Sequence, residues 1–555
     1  LFLRTVKVKK GNRTYNYLKL VESVRKKDKV IQKILVNFGN VNYWPAEKLK
    51  KLSDDLALLS GLSEKGGLTE DDVDPQSCYD YGPFLLAECI WKRLELSAFF
   101  QRAIQDRLFE FEVEMALKVM VFNRLTRPSS KLALQEWLKG QYIPGVSSQK
   151  LKVHHYYRAM DILEQEKEGL EQWVFPRITD LFNLDLSLVF YDLTSSYFEG
   201  SGPPLASWGY SKDHRPDCRQ IQIGLLVNRD GIPISHFVFD GAQSEQRTLP
   251  EIVKSLRERF PIGECIFVAD DGILNGKTAP LLKGSGLRGI WSTGMRKEKY
   301  AQEVISSLPE PEGEDWQEIK KNLWIYELPE GIRGQRGVVA YNPQRRKAQR
   351  VRREEKIQES LKYLASFNEH SKRGARRNRE KTERQIDRWL RLKGARKYFS
   401  FKRKGPYNLE YQLNKEVLAR QTSLDGMMIL HSDAGKLSPE DIARGYRTLT
   451  QVEDAFDEIK NFIELRPIRH HTDPRVKAHV AICVLAYLIE SLLEKAFDWA
   501  GMKLTARKAL EQLASLKVVQ IDLAGKKLQK TTQPTPTQLK LLEVAGLDEF
   551  SRIVE

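Results

Sequence analysis

The sequence predicts an α/β core, preceded by a basic β-rich module and a helical region, and interrupted late by a large insertion. Three observations predict it. An alternating apolar run from Leu186 to Leu193 reads as a buried strand carrying Asp192. A β-β-β-α-β order follows, with Asp270 at the end of its last strand. A long basic stretch then separates that block from an amphipathic helix carrying Glu453.

The chain has 555 residues, too many for one compact core, so two to four domains are expected. Hydrophobic residues at 41% and charged residues at 30% fit a soluble globular protein. The net charge of +16 directs attention to a polyanion such as nucleic acid, although solubility or ribosomal association would explain it too. Five cysteines (Cys78, Cys89, Cys218, Cys265, Cys483) are scattered without a CxxC pair. They support neither a disulfide framework nor a zinc site, and a reducing cytosol fits them best. The most apolar run, Val480 to Ile489, is about half of what a membrane-spanning helix needs and reads as a core helix. No signal peptide is evident, so no membrane association is expected.

Residues 1 to about 43 alternate as strands around Tyr15, Tyr17 and Leu18, with Gly11-Asn12 as a turn. A DNA-contacting module and an ordinary sheet with a lysine face both fit. A helix opens at Trp44-Pro45, and acidic residues from Glu64 to Asp74 read as a linker. From Tyr79 to Phe182 the pattern is helical. Within it, Val113–Leu125, Arg127–Ser130 and Lys131–Leu138 read as helix, turn, helix. That unit is open to a DNA-reading role, but the absence of a base-reading signature favours a plain bundle corner.

In the core, Asp192 is expected near the end of its strand, followed by the hydroxyls of Thr194, Ser195 and Ser196. A carboxylate there is costly to bury unless it is paired or binds a cation, and a divalent metal is the simplest candidate. Gln220–Val227 and Ile232–Phe239 form a hairpin around Asp230-Gly231, and a helix runs from Thr248 to Phe260. Cys265–Ala269 is the strand that leads into Asp270-Asp271. A right-handed crossover returns it parallel to the Asp192 strand, where the two acids can converge.

The interruption contains strands at Leu323–Glu327 and Gly337–Tyr341, then a basic stretch from Arg345 to Lys404 read as helical. That stretch carries 23 Lys or Arg against 7 Asp or Glu, an excess as large as that of the whole chain. Trp389, Tyr398 and Phe399 lie among the cations and could stack on bases, which favours nucleic-acid contact over a merely solvated hairpin. Asp425–Leu430 closes the insertion as a strand. Gly445–Lys460 then reads as one amphipathic helix with the stripe Leu449, Val452, Phe456, Ile459 and Ile463. Tyr446, Glu453 and Lys460, seven apart, line a second stripe beside it. Such residues also commonly decorate helix surfaces.

These segments resemble bacterial insertion-sequence transposases of the DDE type, and within them the IS-four-like branch with the signature Y-x2-R-x3-E-x6-K. Tyr446, Glu453 and Lys460 keep that spacing, while Leu449 stands at the Arg position, with Arg447 or Arg444 as neighbouring substitutes. Tyr191–Glu199 resembles the family's first-Asp strand. Val268–Ile273 resembles its second, with Asp271 where an Arg commonly follows, so Asp270 takes the metal role and Asp271 is the fallback. Gly231-Ile-Pro233, Thr248-Leu249, Arg466–His470 and Phe2-Leu-Arg4 match as well. The likeness is weakest before residue 180 and after about 500.

The resemblance implies an α/β RNase H-like catalytic core interrupted by a large insertion before the catalytic Glu, with a β-rich N-terminal module and a helical domain. The expected limits are 1–75 for the basic module and linker, 76–182 for the helical domain, and 183–300 for the first part of the core. The basic insertion is expected over 301–437, the second part of the core over 438–500, and a helical C-terminal region over 501–555. The implied activity is metal-dependent cleavage at the element's ends and strand transfer into target DNA, by cut-and-paste. Asp192, Asp270 and Glu453 would hold two Mg²⁺ ions, with Mn²⁺ as a substitute. Tyr446, Lys460, Arg447, Arg466 and His470 would contact DNA. The implied partners are double-stranded DNA, as terminal inverted repeats and target, and a second copy in an active dimer. The implied location is the bacterial cytoplasm, on the nucleoid when DNA is bound. No GxxxxGK[ST] loop is present, so no nucleotide cofactor is expected. Nor is there HExxH spacing, and His236 within a strand reads as structural. A structure-specific nuclease on the same fold, or a catalytically inactive DNA-binding descendant, are the rival readings, and the intact acid triad speaks against the second.

Overall fold

The N-terminal alternation forms strands. Phe2–Lys10 (β1), Arg13–Lys26 (β2) and Lys29–Asn40 (β3) make an antiparallel sheet in that order, followed by the helix Ala46–Leu59 (α1). Leu18 and Val21 are buried, while Lys7 and Lys9 stay in solvent. The computed structural model describes residues 2–10, 13–26, 29–59, 73–182, 186–261, 265–293, 299–332, 334–371, 379–404, 408–523, 526–547 and 549–551. It divides into two units, 1–77 with 520–529 and 78–519 with 530–555. The Gly11-Asn12 turn and residues 64–72 of the acidic stretch lie outside the described residues.

Val73–Asp80 (β4) is a strand, where the sequence suggested a linker running into a helix. Gly82–Arg93 (α2), Leu96–Ala103 (α3), Val113–Thr126 (α4), Leu134–Leu138 (α5) and Val153–Phe182 (α6) follow. All residues from Met115 to Leu125 are buried, so α4 is a core helix with no face left for DNA. α5 has only five residues. The corner between them is clamped by Arg124, which donates to the Ser129 carbonyl at 3.0 Å and the Glu464 carbonyl at 2.8 Å. The helix-turn-helix alternative gives way to the bundle corner.

The central sheet begins with Leu188–Tyr197 (β5), Gln220–Asn228 (β6) and Pro233–Asp240 (β7), an antiparallel meander. β6 pairs along β5 from Val189 opposite Asn228 to Tyr197 opposite Gln220. That ladder carries β5 five residues beyond Asp192, which therefore lies mid-strand and not near its end. The β6–β7 turn is made by Gly231, whose φ of +80° suits a residue without a side chain. Glu245–Arg259 (α7) crosses over to Ile266–Ala269 (β8), and Ala279–Gly284 (α8) leads to Arg288–Ser292 (β9). β8 is parallel to β5, and β9 is parallel to β8.

After Lys299–Ser306 (α9) the insertion adds Gln317–Lys320 (β10), Leu323–Ile332 (β11) and Gln335–Tyr341 (β12). Pro343–Ser371 (α10), Arg379–Leu392 (α11), Phe399–Lys404 (β13), Asn408–Leu413 (β14) and Lys415–Ser423 (α12) precede Met427–Ser432 (β15). Four of these strands extend the sheet to nine, in the order β10-β11-β12-β15-β9-β8-β5-β6-β7. The helices and the β13–β14 hairpin close a separate small core of Ile357, Leu364, Ile386, Leu390, Phe399 and Leu409. The basic stretch is thus not helical throughout. Its aromatics are not free to stack on bases either: Tyr398 and Phe399 are buried, and Trp389 stacks on Tyr363 at 3.9 Å.

Pro439–Arg447 (α13) and Thr450–Asn461 (α14) occupy the segment read as one helix. The Thr448 and Thr450 hydroxyls donate to the carbonyls of Arg444 and Arg447, at 3.0 and 3.1 Å, and so compete with the helical ladder at the break. The stripe Leu449, Val452, Phe456, Ile459 and Ile463 is buried nonetheless. Asp473–Trp499 (α15) is long and apolar enough to cross a membrane, more so than its ten most apolar residues suggested. With 89% of its apolar window inside the protein, it is the central core helix. Ala506–Leu513 (α16), Lys517–Leu523 (β16), Lys526–Thr531 (β17) and Pro536–Ala545 (α17) end the chain. β17, β16 and β4 form a sheet in that order, two of whose strands fall in the region expected to be helical.

Candidate active site

Side chains along β5 alternate between two layers. Leu188 and Phe190 pack with Val452 and Phe456 of α14, whereas Val189, Tyr191 and Leu193 pack with Leu249 and Ile252 of α7. By that alternation Asp192 and Thr194 belong to the α14 face. The parallel register ends at Phe190 opposite Val268, and Asp192 and Asp270 each lie two residues further on. Val268 shares the layer of Phe190, so both acids emerge side by side on one face. The chain leaves β8 in a turn, with the Ile273 amide donating to Asp270 Oδ1 at 3.2 Å. Glu453 is exposed on α14, near enough to Asp192 to respond to its charge.

Two residues the sequence did not single out, Glu245 and Lys212, complete this end of the site. Glu245 opens α7, and a Cβ on Gly272 would lie 2.3 Å from Glu245 Oε2 and 3.2 Å from Asp270 Oδ1, so a larger residue there would push the Glu245 carboxylate aside. Lys212 enters from the loop between β5 and β6. Its ammonium is 3.7 Å from Asp192 Oδ1 and 3.3 Å from Glu245 Oε1, and it donates to the Leu193 carbonyl at 2.5 Å. The side chain of the neighbouring Asp213 is largely enclosed and turns the other way, towards Lys460. A first-turn acid on a helix and a Lys-Asp pair in a loop are too ordinary to stand out in a sequence.

The electrostatics are those of under-compensated carboxylates. Burial raises the Asp192 pKa, with Lys212 and a backbone hydrogen bond as the opposing influences. Burial, then the neighbouring Asp192 and Glu245 charges, push Asp270 up to about 6. Burial and the Asp192 charge raise Glu453. Burial works against the Lys212 charge, but Asp192, Glu245 and Asp270 outweigh it and hold its pKa above the ordinary value.

The other end of the site is basic. Lys460 reaches inward from α14, donating to Thr194 Oγ1 at 2.5 Å and Asp213 Oδ1 at 2.9 Å. Arg466 meets the same Asp213 oxygen at 3.0 Å. Tyr446, on α13, donates its hydroxyl to Ser292 Oγ at 2.8 Å, and burial raises its pKa to about 12. Arg447 is exposed at the end of α13. Leu449, at the position of the branch's Arg, is buried at the helix break.

His470 stands apart. It is buried against Tyr157 and His479, and burial with nearby cations lowers its pKa to about 3, so it is a neutral interior group and does not line DNA. His236 is buried beside Glu171, with its Nδ1 3.0 Å from the carboxylate. Among the described residues, no three His, Cys, Asp or Glu side chains are gathered closely enough to hold a metal ion as they stand.

Two family descriptions match the chain: "IS1634 family transposase, N-terminal domain" over residues 3–61, and "Transposase DDE domain" over residues 184–489. No curated protein matches. A solved structure, the cryo-EM structure of a piggyBac transposase synaptic complex with hairpin DNA, is similar over 81% of this chain and 82% of that one. Identity is 10% and the TM-score 0.36, too low for the likeness to carry an argument.

Proposed function

The chain belongs to the DDE transposases and is a DNA transposase; from that premise, we propose that Asp192, Asp270 and Glu453 are the acids that serve cleavage and strand transfer at the ends of its element. The observation that carries this reading is the placement of Asp192 on one strand and Asp270 just past the end of the adjacent parallel strand, on the face covered by the helix of Glu453. The order β7-β6-β5-β8-β9 supports the RNase H-like description of the core, with the remaining sheet strands supplied by the insertion.

DDE transposase domains depend on a divalent metal. The residues here fit one. Carboxylates supply the hard oxygen donors that Mg²⁺ or Mn²⁺ prefers. Burial raises the pKa of both Asp192 and Asp270, neighbouring carboxylates add to it at Asp270, and a cation of the chain itself, the Lys212 ammonium, already sits among them. Asp192, Asp270 and Glu453 would hold the ions, two by family likeness, which would activate the attacking hydroxyl and stabilise the leaving oxygen.

The remaining roles belong to the chain's own groups. Lys460 and Arg466 present cations next to the acids, where a DNA phosphate would lie, and Arg447 offers another from α13. Tyr446 is fixed by Ser292 on β9 and would bound the cleaved strand on that side. Cut-and-paste transfer, the IS-four-like branch, a dimer on paired DNA ends and a cytoplasmic, nucleoid-bound location complete the reading. The test is Mg²⁺-dependent cleavage of the DNA flanking the gene, with Asp192→Ala beside the unaltered chain. Nicks at the repeat ends that vanish in the variant are expected. Equal cleavage by both proteins would remove Asp192 from the chemistry.

A further inference from the structure

Lys212 and Asp213 are neighbours in the chain and opposite in charge, and each lies against a cluster of the other sign. The Lys212 ammonium stands between Asp192 and Glu245, at 3.7 and 3.3 Å. The Asp213 carboxylate is buried between Lys460 and Arg466, at 2.9 and 3.0 Å, through one oxygen, while its other oxygen is buried without a hydrogen-bond partner. The segment is anchored, since the Lys212 amide donates to Ser195 Oγ at 2.8 Å and the Arg215 amide to Ser211 Oγ at 3.0 Å.

We propose that the Lys212–Asp213 dipeptide is a positioning element that holds the site's two charge clusters in place by occupying them. Its ammonium sits where a divalent cation binds, and its carboxylate sits where a DNA phosphate binds. This rests on the assignment of the acids and of Lys460 and Arg466 made above. An uncompensated set of buried like charges would spread apart or fill with water, and the dipeptide keeps each set gathered. Metal and DNA then enter by exchange, cation for ammonium and phosphate for carboxylate. Each exchange leaves the net charge of its cluster less perturbed than binding to a bare cluster would.

The experiment is Mn²⁺ binding to the full chain, read by the electron paramagnetic resonance of free Mn²⁺, for the unaltered protein, Lys212→Gln and Asp192→Ala. Removing the competing ammonium is expected to tighten Mn²⁺ by about tenfold; equal or weaker binding in Lys212→Gln overturns the proposal. Unchanged binding in Asp192→Ala would instead overturn the metal assignment itself. In the unaltered protein, acylation of the Lys212 amine, followed by mass spectrometry, is expected to speed up when Mn²⁺ is added. No change, or protection, would count against exchange even if the variant did not fold. Asp213→Asn, tested for duplex binding in chelator, is expected to bind more tightly, with a salt dependence steeper by about one counterion. Equal or weaker binding would overturn the carboxylate half of the proposal.

Discussion

Two groups of buried carboxylates lie close to the same sheet and have opposite electrostatics. Glu171, on α6, accepts from the Ser235 hydroxyl at 2.8 Å and the His236 amide at 3.2 Å, and pairs with Lys167 at 3.1 Å and with Arg259. Burial alone would raise its pKa, but Lys167, His236 and Arg259 hold it well below the carboxylate range. Burial shifts Asp192 and Asp270 the other way, helped at Asp270 by the Asp192 and Glu245 charges, with Lys212 as the opposing cation. Glu171 is thus compensated by several cations and donors, whereas Asp192 and Asp270 have Lys212 set against their burial.

That contrast can be broken most sharply at Asp270. Asp270→Ala is expected to lower Mg²⁺-dependent cleavage by about 10³-fold or more, while Asp271→Ala stays within about tenfold. The reverse pattern in a single-turnover cleavage assay would move the second acid to Asp271. On the compensated side, Glu171→Ala leaves Arg259 and Lys167 facing each other inside the protein. It is expected to cost about 3–5 kcal/mol of stability in denaturant unfolding, with activity per folded molecule unchanged.

The two acids should also differ in the sign of their pH dependence. The Asp270 pKa rises from 3.8 to about 6 on folding, so the folded state holds the extra proton between those values and stability falls as pH rises through that window. Asp270→Asn should therefore stabilise the metal-free protein above pH 6, by about 1–3 kcal/mol, and leave it unchanged near pH 3. Glu171, with its folded pKa depressed, contributes stability above its unfolded value that is lost as pH falls. Thermal melts of Asp270→Asn against pH will test this, and a variant equal to the parent at pH 8 would contradict the cost of the buried Asp270 charge. The smallest effect is expected at Tyr446→Phe, which deletes a hydrogen bond to Ser292 worth about 1 kcal/mol. A cleavage loss well beyond that would give the hydroxyl a role on DNA.

The strands bearing Asp192 and Asp270, and the hairpin between them, were legible because a half-buried strand imposes a period of two and a tight turn demands its own residues. The break at Thr448–Leu449 was not. The apolar stripe from Leu449 to Ile463 continues through it, and only the threonine hydroxyls on either side betray a competing hydrogen-bond scheme. β9 was missed because Arg288–Ser292 opens on an exposed arginine and a glycine, which leave no apolar run to mark it. Lys212, Asp213 and Glu245 acquire meaning through contacts between different elements, 33 residues apart for Lys212 with Glu245 and 247 for Asp213 with Lys460. His470 misled for the opposite reason. Adjacent arginines suggested an exposed basic edge, but the residue is packed between Tyr157 and His479.

The pairing of β12 with β15 places Tyr341 directly opposite Met427. The two ends of the 85-residue excursion between them are therefore neighbouring positions of one antiparallel ladder, only about 5 Å apart. A hairpin turn closes the same gap. The helices and hairpin of that excursion, with their own core, can thus be treated as an exchangeable cassette, and β10, β11, β12 and β15 cannot. Deleting those strands would leave β9 as a raw sheet edge, open to pairing with other chains.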